Sequence, residues 1–128
     1  MLIDTSTVIE ILRHPKTSDR FRLVKEQIRT EELYMLIIQL AELSDWCIRN
    51  RVPPTERIEA VKQFASIVPV DEEICLEGSK IKSQRRRRGH KNFSLFDGFV
   101  LAAARSMGER LLTFDRDFMG EKDCVVLA

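Results

Sequence analysis

Apolar positions along this chain recur with two periods. Short, dense runs are the length of buried strands: LID near the start, LYMLII (Leu33 to Ile38), IVPV (Ile67 to Val70), RLLTF and CVVLA. Between them, spacings of three and four predict helices. Val8, Ile9, Ile11 and Leu12 form the apolar face of a short helix that stops before Pro15. Phe21, Leu23, Val24 and Ile28 form the face of a second, which Thr17 or Ser18 can cap. QLAELSDWCIRN continues directly from the second strand, and Pro53 and Pro54 open a fourth helix. Asp71 caps DEEICLEGSKIKSQRRRR, which frays into Gly89. SLFDGFVLAAARSMG has Ala102 to Ala104 in its interior and Gly108 at its end. DRDFMGEKD reads as a loop, and Pro69 predicts an edge position for the third strand. Strands alternating with helices specify the α/β class. The expected architecture is a three-layer α/β/α sandwich around a central parallel sheet of about four to five short strands.

Composition narrows this without changing it. A chain of 128 residues is expected to form one domain, 1–128, with no internal repeat, low-complexity tract or linker. The apolar fraction of 44% and charged fraction of 32% fit a globular protein rather than a disordered one. No apolar run reaches the roughly 18 residues of a membrane span. A signal peptide is not expected, because the start lacks a positive region and Asp4 interrupts any apolar stretch. Cys47, Cys75 and Cys124 show no metal-binding or disulfide spacing and read as small core residues in a reducing cytoplasm.

The net charge of +1 conceals an uneven distribution. KIKSQRRRRGHK, from Lys80 to Lys91, contains seven basic residues (Lys and Arg) and no acid. Such a segment suits a polyanion. It also suits the last turn of a helix, where cations complement the dipole.

The chemistry lies with the acids. Asp4 ends the first strand, where an unpaired carboxylate would cost several kcal/mol. Asp115 ends the penultimate strand, Glu42 lies in the helix after LYMLII, and Asp97 lies in the first turn of SLFDGFVLAAA. In an open parallel sheet all four fall at the carboxyl edge, where ligands bind. Each has a simpler role: Asp4 as a helix N-cap, Asp97 in a capping box opened by Ser94, Glu42 on a wet face, Asp115 and Asp117 in a loop. Four such roles converging on one edge is the less economical account. Converging carboxylates repel, and Mg²⁺ or Mn²⁺ with its preference for oxygen removes the conflict. His14 and His90 read as solvated, with His90 a possible phosphate contact. There is no glycine-rich phosphate loop, G-x-S-x-G or Cys–His pair.

These stretches carry a resemblance. MLIDTSTVIEIL, IIQLAEL, SLFDGFVLAAARSMG and LLTFDRDF resemble, in order and over essentially the whole chain, the motifs of PIN-domain ribonucleases, in particular toxins of the VapC type from toxin–antitoxin pairs. The resemblance implies a PIN-like fold and metal ligation by Asp4, Glu42, Asp97 and Asp115, which also form the catalytic set. Ser6 and Asp117 take supporting places. It implies Mg²⁺- or Mn²⁺-dependent endonucleolytic cleavage of RNA with water as nucleophile, a homodimer, and a small antitoxin partner that covers the site. Two departures are Gly98 after Asp97, where a better helix former is expected, and the run Arg85, Arg86, Arg87, Arg88, which is assigned to RNA phosphates.

Three other readings compete. An aspartate-nucleophile phosphatase needs a second Asp where Ser6 stands. A catalytically silent PIN-like RNA-binding or assembly module would be expected to lack part of the acid set. A DNA-directed nuclease is not separated from an RNA-directed one by these residues.

Overall fold

The computed structural model describes residues 1–13 and 16–127, so His14 and Pro15 lie outside the described residues. Five strands and six helices follow one another as β1 (Leu2–Ile3), α1 (Thr5–Leu12), α2 (Asp19–Ile28), β2 (Leu33–Leu36), α3 (Ile37–Arg49), α4 (Pro54–Lys62), β3 (Ala65–Val68), α5 (Glu72–Arg87), α6 (Leu95–Ser106), β4 (Leu111–Thr113) and β5 (Cys124–Val126). A single 3₁₀ turn, Arg116–Phe118, lies between β4 and β5.

All strand pairs are parallel, in the order β3-β2-β1-β4-β5. β3 is at an edge, as predicted, although it begins two residues before the IVPV run and ends before Pro69. Alternating side chains divide the sheet between two cores. Ile3, Leu33, Met35 and Leu112 pack with Val8, Val24, Leu43 and Val61 from α1 to α4. Leu2, Leu36 and Leu111 pack with Ile74, Ile81, Val100 and Leu101 from α5 and α6. The result is the expected three-layer sandwich.

The strand predicted to run to Ile38 ends at Leu36 instead. Gln39 accounts for the early turn. It is fully buried, accepts from the Leu36 N–H (2.7 Å) and donates to the Ile3 carbonyl (2.9 Å), so it satisfies two strand ends at once. A helix that starts immediately at the sheet edge brings Glu42 back toward that edge.

Side-chain caps fix the starts of α2 and α5. Ser18 accepts from the Phe21 N–H and Asp71 from the Ile74 N–H. α5 has Glu72 and Glu73 in its first turn and Arg85 to Arg87 in its last, so the basic run does complement the helix dipole. α5 and α6 cross at Gly78 and Gly98. A methyl group on Gly98 would overlap the Gly78 carbonyl oxygen, and one on Gly78 would overlap the Phe99 ring. That contact explains the weak helix former beside Asp97: backbone meets backbone there. Of the three cysteines, Cys47 is core and Cys124 is partly buried, but Cys75 is exposed on the outer face of α5, contrary to expectation.

A candidate metal-dependent site at the carboxyl edge

β1 and β4 are neighbours in the sheet, and the strand order reverses between them. Crevices at such a switch point are the usual ligand sites of open α/β sheets. The register pairs Ile3 with Leu112, and the Asp4 N–H donates to the Leu112 carbonyl (2.9 Å), which places Asp4 opposite Thr113.

Asp4 is 8% exposed. It occupies the N-cap position of α1 but makes no capping hydrogen bond. Its Oδ2 instead accepts from Thr113 Oγ1 (2.7 Å) and Ser6 Oγ (3.0 Å). Thr113 Oγ1 in turn accepts from the Asp115 N–H (2.9 Å), and Ser6 Oγ from the Phe114 N–H (3.2 Å). Two hydroxyls therefore stitch the ends of β1 and β4 together around one carboxylate.

The other three acids are held in a similar way. Thr5 Oγ1 donates to Glu42 Oε1 (3.0 Å). Asp97 closes the capping box with Ser94: its Oδ2 accepts from the Ser94 N–H (2.8 Å), and its own N–H donates to Ser94 Oγ (3.0 Å). Asp115 Oδ1 accepts from the Asp117 N–H (2.8 Å). The simple structural role predicted for Asp97 is real and coexists with its place beside the other acids.

The four sense one another electrostatically. Burial pushes Asp4 above the usual carboxylate range, against the pull of its bonds to Thr113 and Ser6, and the Asp115 charge adds to the rise. Burial raises Glu42 to about 7, with help from the charges of Asp4 and Asp97. Asp97 rises to about 6 for the same first reason, with Asp4 and Asp115 contributing. Among the described residues, no ion pair involves Asp4, Glu42, Asp97 or Asp115.

This donor set fits a hard divalent cation: oxygen only, anionic and without an internal counter-charge. The set is also open. As the side chains stand, no three Asp, Glu, His or Cys groups among the described residues are gathered closely enough to chelate an ion directly. Mg²⁺ characteristically keeps several waters and uses only one or two carboxylates directly.

The remaining predicted residues are placed less uniformly. Asp117 lies on the 3₁₀ turn, with its carboxylate 3.8 Å from His90 Nδ1. Arg85 departs from its assignment to RNA: it is 4% exposed and points into the protein. Its Nη1 pairs with Glu121 (3.0 Å), and its Nη2 donates to the carbonyls of Asp117 and Met119. Arg86 donates from Nε to the Phe93 carbonyl (2.9 Å) and is otherwise exposed, as are Arg87 and Arg88. Thr5, Thr113 and Gln39 have structural parts in the site that the sequence reading did not assign. The hydroxyl run after Asp4 and the Thr113-x-Asp115 spacing were the available signals.

A groove of about 280 Å³ between α5 and α6, lined by Glu73, Glu77 and Arg105 among others, contains none of these acids.

Comparison with known proteins agrees with this fold. The PIN domain family model matches residues 1–120. No curated protein matches the sequence. Among solved structures, a toxin–antitoxin complex from Klebsiella pneumoniae superposes with a TM-score of 0.75 at 17% identity, over 98% of this chain and 95% of that one. FitAcB from Neisseria gonorrhoeae gives 0.70 at 23% identity, over 99% and 96%. VapC20 of Mycobacterium tuberculosis, described as a sarcin–ricin loop cleaving toxin, gives 0.66 at 16% identity, over 94% of each chain.

Proposed function

Since this chain belongs to the PIN-domain family, we propose that it is a divalent-metal-dependent endoribonuclease and the toxin half of a toxin–antitoxin pair. The observation that carries this reading is the treatment of four carboxylates at the switch point. Each is oriented by a neutral hydroxyl or backbone N–H, and among the described residues none is neutralised by a basic side chain.

Asp4, Glu42, Asp97 and Asp115 would hold Mg²⁺ or Mn²⁺. The ion supplies activation of water and neutralisation of charge developing on the phosphate. The protein's own contribution is orientation. Ser6 and Thr113 fix one oxygen of Asp4, Thr5 fixes one of Glu42, and the Ser94 and Asp117 amides fix one each of Asp97 and Asp115. These donors are set by strand register and helix caps, so they need no rearrangement when substrate arrives. Asp117 supports the site through its N–H rather than through its carboxylate.

RNA as substrate, a small antitoxin as partner and a homodimer complete the reading. The first two are supported by the family and by the toxin–antitoxin complex and the sarcin–ricin loop cleaving toxin among the structures of similar fold.

The test is cleavage of a mixed structured and single-stranded RNA by the purified chain, with Mn²⁺, with EDTA and with Asp97→Asn. Metal-dependent cutting that the variant loses is the expected result. Cutting that survives EDTA, or that Asp97→Asn retains, would sink the assignment. Mass spectrometry of the preparation checks that no antitoxin accompanies an inactive sample.

A further inference from the structure

The four acids stand on unequal supports. Asp4, Glu42 and Asp97 stand at the start of, or within, α-helices of 8, 13 and 12 residues, whereas Asp115 opens a 3₁₀ turn of 3 residues. A turn of that kind makes few and poorly aligned bonds of its own. Here the Phe118 N–H donates to the Asp115 carbonyl (3.2 Å) and the Met119 N–H to the Arg116 carbonyl (3.0 Å). Yet the same turn supplies the Asp117 N–H that orients Asp115 Oδ1 (2.8 Å).

Arg85 reaches this turn from α5. Its Nη2 donates to the carbonyls of Asp117 and Met119, on either side of Phe118, and Glu121 anchors its Nη1 (3.0 Å). Its Nε is buried and has no partner among the described residues, so the grip is made by the two Nη atoms. The Phe118 ring is fully buried and meets the Phe93 ring edge-on, with centroids 5.3 Å apart, and the Arg85 guanidinium lies 5.7 Å over Phe93. Phe118 thus anchors the turn by a side chain, whereas Arg85 anchors it by its backbone. It is backbone that orients Asp115: Asp117 has its carbonyl on Arg85 and its N–H on the Asp115 carboxylate.

Resting on the proposed metal role of the four acids, we propose that Arg85 is a positioning residue of that site. Acting through Asp117, it holds the Asp115 carboxylate in place without touching metal or RNA. Charge and position predict opposite signs for its removal. Arg85 is a cation and its neighbour Glu121 an anion, so by charge alone Arg85→Met would tighten the binding of a divalent ion at Asp115. Loss of positioning loosens that binding, because a carboxylate that must be ordered as the ion binds is the weaker ligand.

The experiment titrates Mn²⁺ into the full chain without RNA, reading free Mn²⁺ by electron paramagnetic resonance, at a temperature where circular dichroism shows the variants folded. Arg85→Met is expected to raise the Mn²⁺ dissociation constant about tenfold. Arg85→Lys, which keeps the charge but cannot fork, should raise it about threefold and carries the test if Arg85→Met does not fold. Val61→Ala, a cavity in the opposite core, lowers stability and should leave Mn²⁺ binding within about twofold. In cleavage assays the Mn²⁺ requirement should rise in parallel, while the rate at saturating Mn²⁺ stays within about twofold. The positioning role is overturned if the folded Arg85 variants bind Mn²⁺ as the parent does or more tightly, or if Val61→Ala loosens it equally. If the parent binds Mn²⁺ and cuts RNA while the Arg85 variants bind unchanged, only the positioning role falls. If the parent binds no Mn²⁺, the metal reading and the positioning role fall together.

Discussion

Two groups of charged side chains are withdrawn from solvent in this molecule, and they are treated in opposite ways. Behind the 3₁₀ turn, Arg85 is sandwiched between Glu121 and the Asp117 and Met119 carbonyls, and Arg105 completes the set by pairing with Glu121 and Asp123. A few residues away along the same turn, Asp115 joins Asp4, Glu42 and Asp97, where among the described residues no basic side chain answers the negative charge. The first cluster is closed and its charges are internally balanced. The second is left in deficit by a whole set of carboxylates, which the fold holds in place with neutral donors. The contrast separates a cluster that balances its own charge from one that fits the proposed metal role.

The largest test of the contrast is to remove charge from the open cluster. Asp4→Asn or Asp97→Asn should lower kcat/KM for RNA by at least roughly a hundredfold, measured at saturating Mn²⁺. Removing charge from the closed cluster should act on folding instead. Arg85→Met strands the Asp117 and Met119 carbonyls and leaves Glu121 with Arg105 alone. Unfolding free energy is expected to fall by about 3 kcal/mol, read from urea midpoints. Arg85→Lys keeps the charge but cannot fork between a carboxylate and two carbonyls, so it should lie between the two.

A smaller effect concerns pH, and its sign distinguishes the clusters. Glu42 and Asp97 titrate near 7 and 6 in the folded protein and near their ordinary values when unfolded. Between about pH 4 and 7 the folded state therefore binds more protons, so stability contributed by these groups is present at low pH and is lost as pH rises. Without metal, the protein should melt at a lower temperature at pH 8 than at pH 5.5. Because both carboxylates are partly solvent-screened, the difference is set at about 1–2 kcal/mol. Glu42→Gln or Asp97→Asn should reduce it and raise the pH 8 melting temperature. A variant that destroys activity while stabilising the metal-free fold is the expected mark of the open cluster. Added Mg²⁺ should raise the melting temperature more at pH 8 than at pH 5.5, because protonated carboxylates compete with the ion.

Much of the fold could be read from the chain because local signals agreed with global ones. Short apolar runs at the right spacing became the five strands, and Ser18, Asp71 and Ser94 cap the helices that their positions announced. Misreadings occurred where tertiary partners decide. Ile37 and Ile38 look like strand by composition, but Gln39 reaches across to β1 and starts the helix earlier. Arg85 is indistinguishable in sequence from Arg86 to Arg88. Helical periodicity places it on the buried stripe with Ile74, Gly78 and Ile81, and only Glu121, far along the chain, makes that burial tolerable. The four acids were legible as a set because the parallel topology fixes where strand ends meet. The hydroxyls that orient them were less so, since Thr113 becomes a partner of Asp4 only through the register of β1 on β4.

The meeting of Gly78 and Gly98 bears on how this part of the molecule can change over time. Because main chain rests on main chain there, the span from the basic side chains of α5 to Phe96 and Asp97 of α6 is gauged by backbone radii. Side-chain packing elsewhere along the two helices can vary without resetting that gauge. The exposed residues of α5 and α6 are thereby free to vary, while Asp97 keeps its place relative to α5. A larger residue at either glycine would do the reverse: it would leave every other side chain intact and spoil the distance between the two helices.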